Sequence, residues 1–183
     1  MPDVTVYTFS PDWGLPTTGP FALKLLAWLR LNAIPYDQKI ENDTRKGPAG
    51  KSPWAEIDGE TVGDSDRIIA RLDPHAAPEP EQPAGDRAAA RAFKTAFEER
   101  FHQILEYELF VHPEGAAYMD RFIRGMAPPV IGGVISRAMR KHFAKQLHAR
   151  GIARHLPEEV ADIGRAEVAT LAGYLDGRAF LGG

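Results

Sequence analysis

The hydrophobic pattern of the first 72 residues alternates between strand-like and helix-like segments. β-Branched and aromatic residues fill Val4–Phe9, with side chains alternating between two faces, as in a strand. Apolar residues then recur at helical spacing, and Pro20 suits a first helical turn. Asp58-Gly59 has the composition of a two-residue hairpin turn. The pattern therefore predicts the order β-α-β then β-β-α: strands at Val4–Phe9, Tyr36–Ile40, Trp54–Ile57 and Thr61–Val62, and helices at Phe21–Leu31 and from an Asp64 or Ser65 cap to Leu72.

A proline-rich segment separates this part of the chain from an entirely helical part. Four of the twelve residues Asp73–Ala84 are proline, which predicts an extended connector because proline lacks the amide donor. Helical patterns then cover Asp86–Val111, Glu114–Gly125, Ser136–Arg150 and Pro157–Asp176, and the apolar Met126–Ile135 is predicted to be flexible. The fold class is therefore α/β plus all-α, with a domain over 1–72, a linker over 73–85 and a helical domain over 86–183.

Composition narrows the classes of protein to which the chain can belong. It has 183 residues, 44% of them hydrophobic and 26% charged, as in a globular protein. The absence of cysteine excludes disulfides, thiolate metal sites and a cysteine nucleophile. The N-terminus lacks a signal-peptide layout, and the longest stretch without charge, Gly125–Ser136, is far shorter than the roughly 20 residues of a membrane span. We expect a soluble, cytoplasmic protein.

The net charge of −3 conceals an asymmetry along the chain. The segment Arg121–Pro157 holds eight Lys and Arg and no Asp or Glu; the remaining chain holds 14 basic and 25 acidic residues, a net charge of −11. One interpretation is a solvated helix that packs through the stripe of Met139, Phe143 and Leu147. The other is a surface that faces anions or a membrane. Nucleic acid is the least expected partner, because no binding motif accompanies the charge.

Three stretches of sequence resemble the glutathione transferase superfamily. GKSPWAEIDG (Gly50–Gly59) followed by GDSDRIIARL (Gly63–Leu72) resembles the glutathione-site signature of its thioredoxin-like N-terminal domain. GPFALKLLAWLRLNAIPYD (Gly19–Asp37) resembles the first helix and second strand of that domain. KQLHARGIARHLPEEV (Lys145–Val160) resembles the helical domain of one branch, the failed-axon-connections and metaxin-like proteins with their bacterial relatives. The resemblance implies a thioredoxin-like domain followed by a transferase-type helical bundle.

The same resemblance implies a glutathione site in the N-terminal domain, with glutathione as cosubstrate. Its binding residues are then Lys51, Ser52, Pro53, Asp64 and Ser65. In that family the proline has a cis peptide bond, which exposes the backbone of the preceding residue to an extended peptide, and the acidic-Ser pair opens a helix whose N-terminus binds a carboxylate. The residues alone leave two other interpretations open, an ordinary trans proline at an edge strand and a plain helix N-cap.

The segment that would activate the glutathione sulfur departs from the family pattern. Where branch members often have C-P-F-C or S-P-F-C, this chain has Gly19-Pro20-Phe21-Ala22, so the chain itself performs no thiol–disulfide chemistry. A hydroxyl that donates a hydrogen bond to sulfur would favour the thiolate. Thr18 and Thr17, in the loop before the first helix, and Tyr7, in the first strand, are the candidates. For Tyr7 the other interpretation is a packing role, in the core or on a sheet face. Trp54 is expected to pack beside the site.

Other chemistry is poorly supported, and two functions stay open. The histidines lack metal-ligand spacing, and no G-x-S-x-G or glycine-rich phosphate loop occurs. The first function is a glutathione-dependent transferase or lyase that acts on an apolar electrophile. The alternative is a non-catalytic metaxin-like module for protein assembly or membrane-surface docking through 121–157. Because the chain stops at Phe180–Gly183, where family members continue, we expect a truncated form. Part of an apolar face should then be exposed, built from Phe93, Phe97, Phe101, Val168, Leu171 and Leu175. We expect association in a homodimer to cover this face, or else a form that is less stable than a longer one.

Overall fold

The computed structural model describes residues 1–78 and 81–178, apart from the side chains of residues 129 and 130. The chain divides into two compact units, Met1–Pro80 and Glu81–Gly183. Phe180 and Leu181, at the predicted truncation, lie outside the described residues. No helix in the described part of the chain is long and apolar enough to cross a membrane.

The N-terminal unit is a four-stranded sheet whose strand order is β2-β1-β3-β4. The strands are β1 (Val4–Thr8), β2 (Asp37–Ile40), β3 (Trp54–Ile57) and β4 (Glu60–Gly63), and the helices are α1 (Pro20–Leu31) and α2 (Ser65–Leu72). β1 runs parallel to β2 and antiparallel to β3, which is antiparallel to β4. The predicted β-α-β then β-β-α order and the thioredoxin-like architecture are confirmed. Strands β1 and β2 are one residue shorter than predicted, at Phe9 and Tyr36.

One face of this sheet and one side of each helix form the core of the unit. Val4 and Val6 of β1 are buried because alternate side chains of a strand point to the same face. They pack with Leu25 and Leu29 of α1 and with Ile68 of α2. The apolar helical spacing in the sequence thus identifies the face of α1 that covers the sheet.

The second unit is helical, as predicted. Its helices are α3 (Ala84–Thr95), α4 (His102–Phe110), α5 (Pro113–Met126), α6 (Pro129–Arg150) and α7 (Pro157–Leu175). A π-helical segment, Ala96–Phe101, joins α3 to α4. The buried cluster of Ile104, Tyr107, Leu147 and Val160 brings α4, α6 and α7 together. In the predicted linker, Asp73–His75 forms a 3-10 turn, and α3 begins two residues before the predicted Asp86.

The prediction that Met126–Ile135 is flexible and that the next helix begins at Ser136 is wrong. Helix α6 begins at Pro129, in the first helical position, where proline's missing amide costs nothing. Gly132 and Gly133 belong to the helix because it packs closely against α5. A Cβ on Gly132 would lie 3.0 Å from Arg124 Cα, and one on Gly133 would lie 2.7 Å from Arg124 Nη1.

The predicted apolar face of the helical unit is partly shielded. Phe93, Phe97 and Phe101 are half-buried. The Phe93 ring lies 4.9 Å from that of Tyr174, and the Phe97 ring lies 4.9 Å from that of Phe101. Val168 is 47% exposed.

Candidate functional site

Strand register brings the predicted site segments to one end of the N-terminal sheet. Tyr7, near the end of β1, pairs with Trp54, the first residue of β3. Trp54 pairs in turn with Gly63, the last residue of β4. The loop that leads to α1, the Ser52-Pro53 dipeptide and the Asp64-Ser65 dipeptide therefore all adjoin this end. Elements distant in sequence converge there because neighbouring strands run antiparallel.

Ser52-Pro53 holds a hydroxyl that the protein leaves without a partner. The peptide bond between these two residues is cis, as predicted. Ser52 Oγ is buried and makes no hydrogen bond with a described residue. Buried polar atoms are nearly always hydrogen-bonded, so an orphaned hydroxyl in a candidate site indicates a place for a ligand atom. Lys51, the preceding residue, is exposed, and no ion pair joins it to the described part of the chain.

Asp64, rather than Ser65, caps helix α2. Asp64 Oδ1 accepts hydrogen bonds from the backbone amides of Asp66 (2.9 Å) and Arg67 (3.3 Å). The Asp64 backbone has φ 74° and ψ 128°, a conformation that residues other than glycine rarely adopt. Its carboxylate is thus committed to its own helix. The neighbouring Ser65 begins the helix and is only 4% exposed, so its amide and hydroxyl stand at the positive end of the helix dipole.

The loop before α1 separates the two threonine candidates. Thr17 is fully buried, and its Oγ1 accepts a hydrogen bond from the backbone amide of Gly19 (3.2 Å). The backbone amide of Thr18 donates to the Ser10 carbonyl (3.1 Å), and its half-buried hydroxyl makes no hydrogen bond with a described residue. Gln38 anchors the same loop, because its Nε2 donates to the carbonyl of Pro16 (2.9 Å). Thr17 therefore holds the loop, and Thr18 has the available hydroxyl.

Tyr7 lies on the sheet face opposite the one that packs on α1. Its ring is stacked on Trp54, with centroids 5.1 Å apart and planes 6° from parallel. Lys39 Nζ lies 5.6 Å from the Tyr7 ring centroid. Trp54 also lies against the backbone of Gly47, where a Cβ would be 2.5 Å from Trp54 Cε3. The expected packing role of Trp54 thus extends to Tyr7.

The acidic and basic side chains that follow β2 neutralise one another. Arg45 donates hydrogen bonds to the carboxylate of Asp43 (2.7 Å for both pairs of atoms) and lowers the pKa of Asp43 to about 2. A hydrogen bond from Lys46 to Glu41 lowers the pKa of Glu41. Arg45 and Lys46 are thus each engaged by a neighbouring carboxylate. Lys51 is therefore the better source of positive charge for an anionic ligand at this end of the sheet.

A second buried atom without a partner lies in the helical unit, and sequence reasoning missed it. Glu106 Oε2 is buried and lacks a hydrogen bond to any described residue, while Glu106 Oε1 lies 3.3 Å from His102 Nε2. The spacing of four residues within one helix was a usable signal for this pair. Within residues 1–78 and 81–178, no group of three or more His, Asp or Glu side chains could hold a metal ion.

Comparison with known proteins identifies relatives of the whole chain. The family model of the glutathione S-transferase N-terminal domain matches residues 20–115. The isoprene-epoxide–glutathione S-transferase of Rhodococcus sp. (strain AD45) is 26% identical over 97% of this chain and 78% of the relative. Failed axon connections of Drosophila melanogaster is 27% identical over 98% of this chain, which spans only 46% of that protein.

Solved structures support the fold alone. A beta-etherase from Sphingobium sp. strain SYK-6 aligns with a TM-score of 0.59 at 20% identity, over 98% of this chain and 76% of that one. A possible glutathione S-transferase from Rhodopseudomonas palustris aligns with a TM-score of 0.53 at 16% identity, over 94% and 71% of the two chains.

Proposed function

The chain belongs to the glutathione S-transferase family, and from this premise we propose that its N-terminal unit binds glutathione and presents the thiol to an apolar electrophile. The observation that carries the proposal is the buried hydroxyl of Ser52, which has no partner among the described residues and adjoins the start of α2. Glutathione is an extended tripeptide with two carboxylates, so a site for it needs both hydrogen-bonding groups and positive charge.

Each part of glutathione has a candidate partner in this unit. The Ser65 amide and hydroxyl, at the N-terminus of α2, would bind the γ-glutamyl carboxylate. Ser52 and Pro53 would lie along the cysteinyl backbone, and Lys51 would offset the charge of a carboxylate. Asp64 contributes indirectly, because its cap holds the first turn of α2 in place.

Thr18 is the residue that we assign to the glutathione sulfur. Its hydroxyl is not used by the protein, whereas that of Thr17 accepts a hydrogen bond from the Gly19 amide, and the Tyr7 ring is stacked on Trp54. A hydrogen bond from Thr18 would stabilise the thiolate and lower the pKa of bound glutathione. The ultraviolet absorbance of the thiolate tests this. Thr18→Val should raise that pKa, and Thr18→Ser should restore it. A Thr18→Val protein with an unchanged thiol pKa would exclude the role.

Calorimetry with serine variants tests glutathione binding. Ser65→Ala should weaken binding by roughly 1–3 kcal/mol, because the lost hydrogen bond is to a charged group. Ser52→Ala should also weaken binding, yet leave the free protein equally or more stable, since that hydroxyl has no partner to lose. Ser136→Ala, a matched change in the helical unit, should leave the affinity unchanged. A wild-type protein that binds glutathione, with the affinities of Ser65→Ala and Ser52→Ala unaltered, would place the site elsewhere.

The choice of electrophile follows from one relative, the isoprene-epoxide–glutathione S-transferase. Isoprene epoxide is the first cosubstrate to assay, with the glutathione adduct as the product measured. In this reaction the glutathione thiolate attacks an epoxide carbon, the carbon–oxygen bond breaks, and the resulting alkoxide takes up a proton. A homodimer remains our expectation, and light scattering tests it.

A non-catalytic module for protein assembly or surface docking is the second candidate. The observation that favours it is the start of α1, where Gly19 and Ala22 offer neither a thiol nor a hydroxyl. Glutathione binding without adduct formation from any epoxide would favour this second function over the first.

A further inference from the structure

Helix α6 exposes an apolar surface that no described part of the chain covers. Ile131, Val134 and Ile135 are 51%, 69% and 38% exposed. Their spacing of three and four residues places them on one face of the helix. The opposite face carries the buried residues Ser136 and Leu147. We call the three exposed side chains the apolar ridge.

Basic residues run alongside the apolar ridge. Arg137, Lys141 and Lys145 recur every four residues, so they form one stripe along α6, and all three are exposed. Arg137 follows Val134 by three residues, which brings the stripe next to the ridge. None of the three forms an ion pair with a described residue, and their charge is therefore available to a partner. We call them the basic stripe.

We propose that this face of α6 docks on the surface of an anionic phospholipid membrane. The apolar ridge would enter the boundary between headgroups and acyl chains, and the basic stripe would contact lipid phosphates. Charge complementarity supports this partner. Residues 121–157 hold eight basic and no acidic residues, whereas the rest of the chain holds 14 basic and 25 acidic residues. An anionic surface therefore attracts this segment and repels the net charge of the remaining chain.

A second copy of the chain fits this surface less well. Two copies related by a twofold axis through the ridge would bring each basic stripe against the other, since such a contact uses the same surface twice. An acidic partner protein would satisfy the charge. However, the ridge projects from the outer face of one helix instead of lining an apolar groove, which suits insertion into a lipid layer. The proposal does not depend on glutathione binding by the N-terminal unit.

Cosedimentation with vesicles tests the proposal on the 183-residue chain. Vesicles of phosphatidylcholine alone are compared with vesicles of phosphatidylcholine and phosphatidylserine, at low and high ionic strength. The wild-type protein should bind the anionic vesicles only, and more weakly at high salt. Arg137→Gln/Lys141→Gln should weaken binding about 30-fold, on the scale of about fivefold for each basic residue. Ile131→Ser/Val134→Ser should weaken it at least about tenfold.

Matched variants remove similar groups elsewhere. Leu31 and Leu156 are 85% and 58% exposed, and Leu31→Ser/Leu156→Ser should leave binding unchanged. Arg71→Gln/Arg165→Gln removes two exposed charges outside the basic segment and should weaken binding less than the stripe variant does. Circular dichroism of each variant confirms that it is folded.

Three results would overturn the proposal. The first is a wild-type protein that ignores anionic vesicles at low salt. The second is a ridge variant that binds as tightly as the wild type, because the attraction would then be charge alone. The third is a ridge variant that converts a wild-type dimer to a monomer in light scattering, which would make the ridge an interface between two copies of the chain.

Discussion

Substitutions of Asp64 separate two contributions to the free energy of unfolding at the start of α2. The first is the cap, in which the carboxylate accepts from the amides of Asp66 and Arg67. The second is the backbone strain of a residue other than glycine at φ 74°. Losing an N-cap to Ala costs about 1 kcal/mol, and losing it to Gly costs a few tenths. The strain is about 1–3 kcal/mol and disappears only in glycine.

These magnitudes predict an order of stability. Asp64→Ala should lower the free energy of unfolding by about 1–2 kcal/mol, because it loses the cap and keeps the strain. Asp64→Gly relieves the strain, and the greater entropy of an unfolded glycine offsets part of that gain, about 0.5–1 kcal/mol. It should therefore be at least as stable as the wild type and about 2 kcal/mol more stable than the Ala variant. Asp64→Asn, the matched control, should resemble the wild type.

Urea denaturation followed by tryptophan fluorescence measures this order. Trp13, Trp28 and Trp54 are the chain's only tryptophans, and all three lie within residues 1–80, so their emission reports on the N-terminal unit. If the Gly variant proves as unstable as the Ala variant, the backbone at Asp64 stores no strain. If the Ala variant is as stable as the wild type, the hydrogen bonds of the Asp64 cap contribute no stability.

Two further predictions concern the helical unit. Gly115→Ala should destabilise it by several kcal/mol, because a Cβ there would lie 1.8 Å from the Glu108 carbonyl oxygen. Gly173→Ala, where a Cβ would meet nothing within 4 Å, should be neutral or stabilising by up to about 1 kcal/mol. Thermal unfolding followed by circular dichroism at a helix-sensitive wavelength compares the two variants, and equal melting temperatures would contradict the close packing at Gly115. Ser136→Ala should raise the pKa of Asp120, since the Ser136 hydrogen bond is the largest cause of its lowering. Because the pKa of Asp120 is lowered in the folded protein, this hydrogen bond stabilises the fold at pH values above the ordinary aspartate pKa. That contribution is lost as the pH falls through the pKa of Asp120 in the folded protein. NMR titration of the Asp120 carboxyl measures the change, and an unaltered pKa would exclude the bond.

The N-terminal fold could be predicted because its signals are local. The alternation in Val4–Thr8 and the helical spacing of α1 each specify an element without reference to the rest of the chain. Asp58-Gly59 forms the predicted turn, with φ 50° and 84° at its two residues. Such patterns depend on neighbours in sequence, so a single sequence contains them.

The start of α6 could not be predicted because tertiary packing overrides a local signal. Proline and adjacent glycines usually indicate a loop. Here Gly132 and Gly133 allow α6 to approach Arg124 on α5, a contact that only the folded chain reveals. Pro129 occupies the one helical position that tolerates it, and a flexible loop has the same local composition.

The candidate site was only partly accessible from sequence. Ser52, Ser65 and Thr18 could be named from a resemblance, but their hydrogen bonds could not. That Asp64 caps α2 while Thr17 holds the loop, and that the Ser52 hydroxyl is orphaned, depends on the orientation of individual side chains. These details decide which hydroxyls are available to a ligand, and they emerge only from the three-dimensional structure.

Titration of glutathione into the ¹⁵N-labelled protein, followed by the backbone amide resonances, tests whether the N-terminal unit binds glutathione. We expect saturable shifts concentrated at Ser52, Asp64, Ser65 and Thr18, which adjoin one end of the N-terminal sheet. Residues 81–178 should show few shifts. The absence of any saturable shift, or a set confined to the helical unit, would contradict the assignment of a glutathione site to this protein's N-terminal unit.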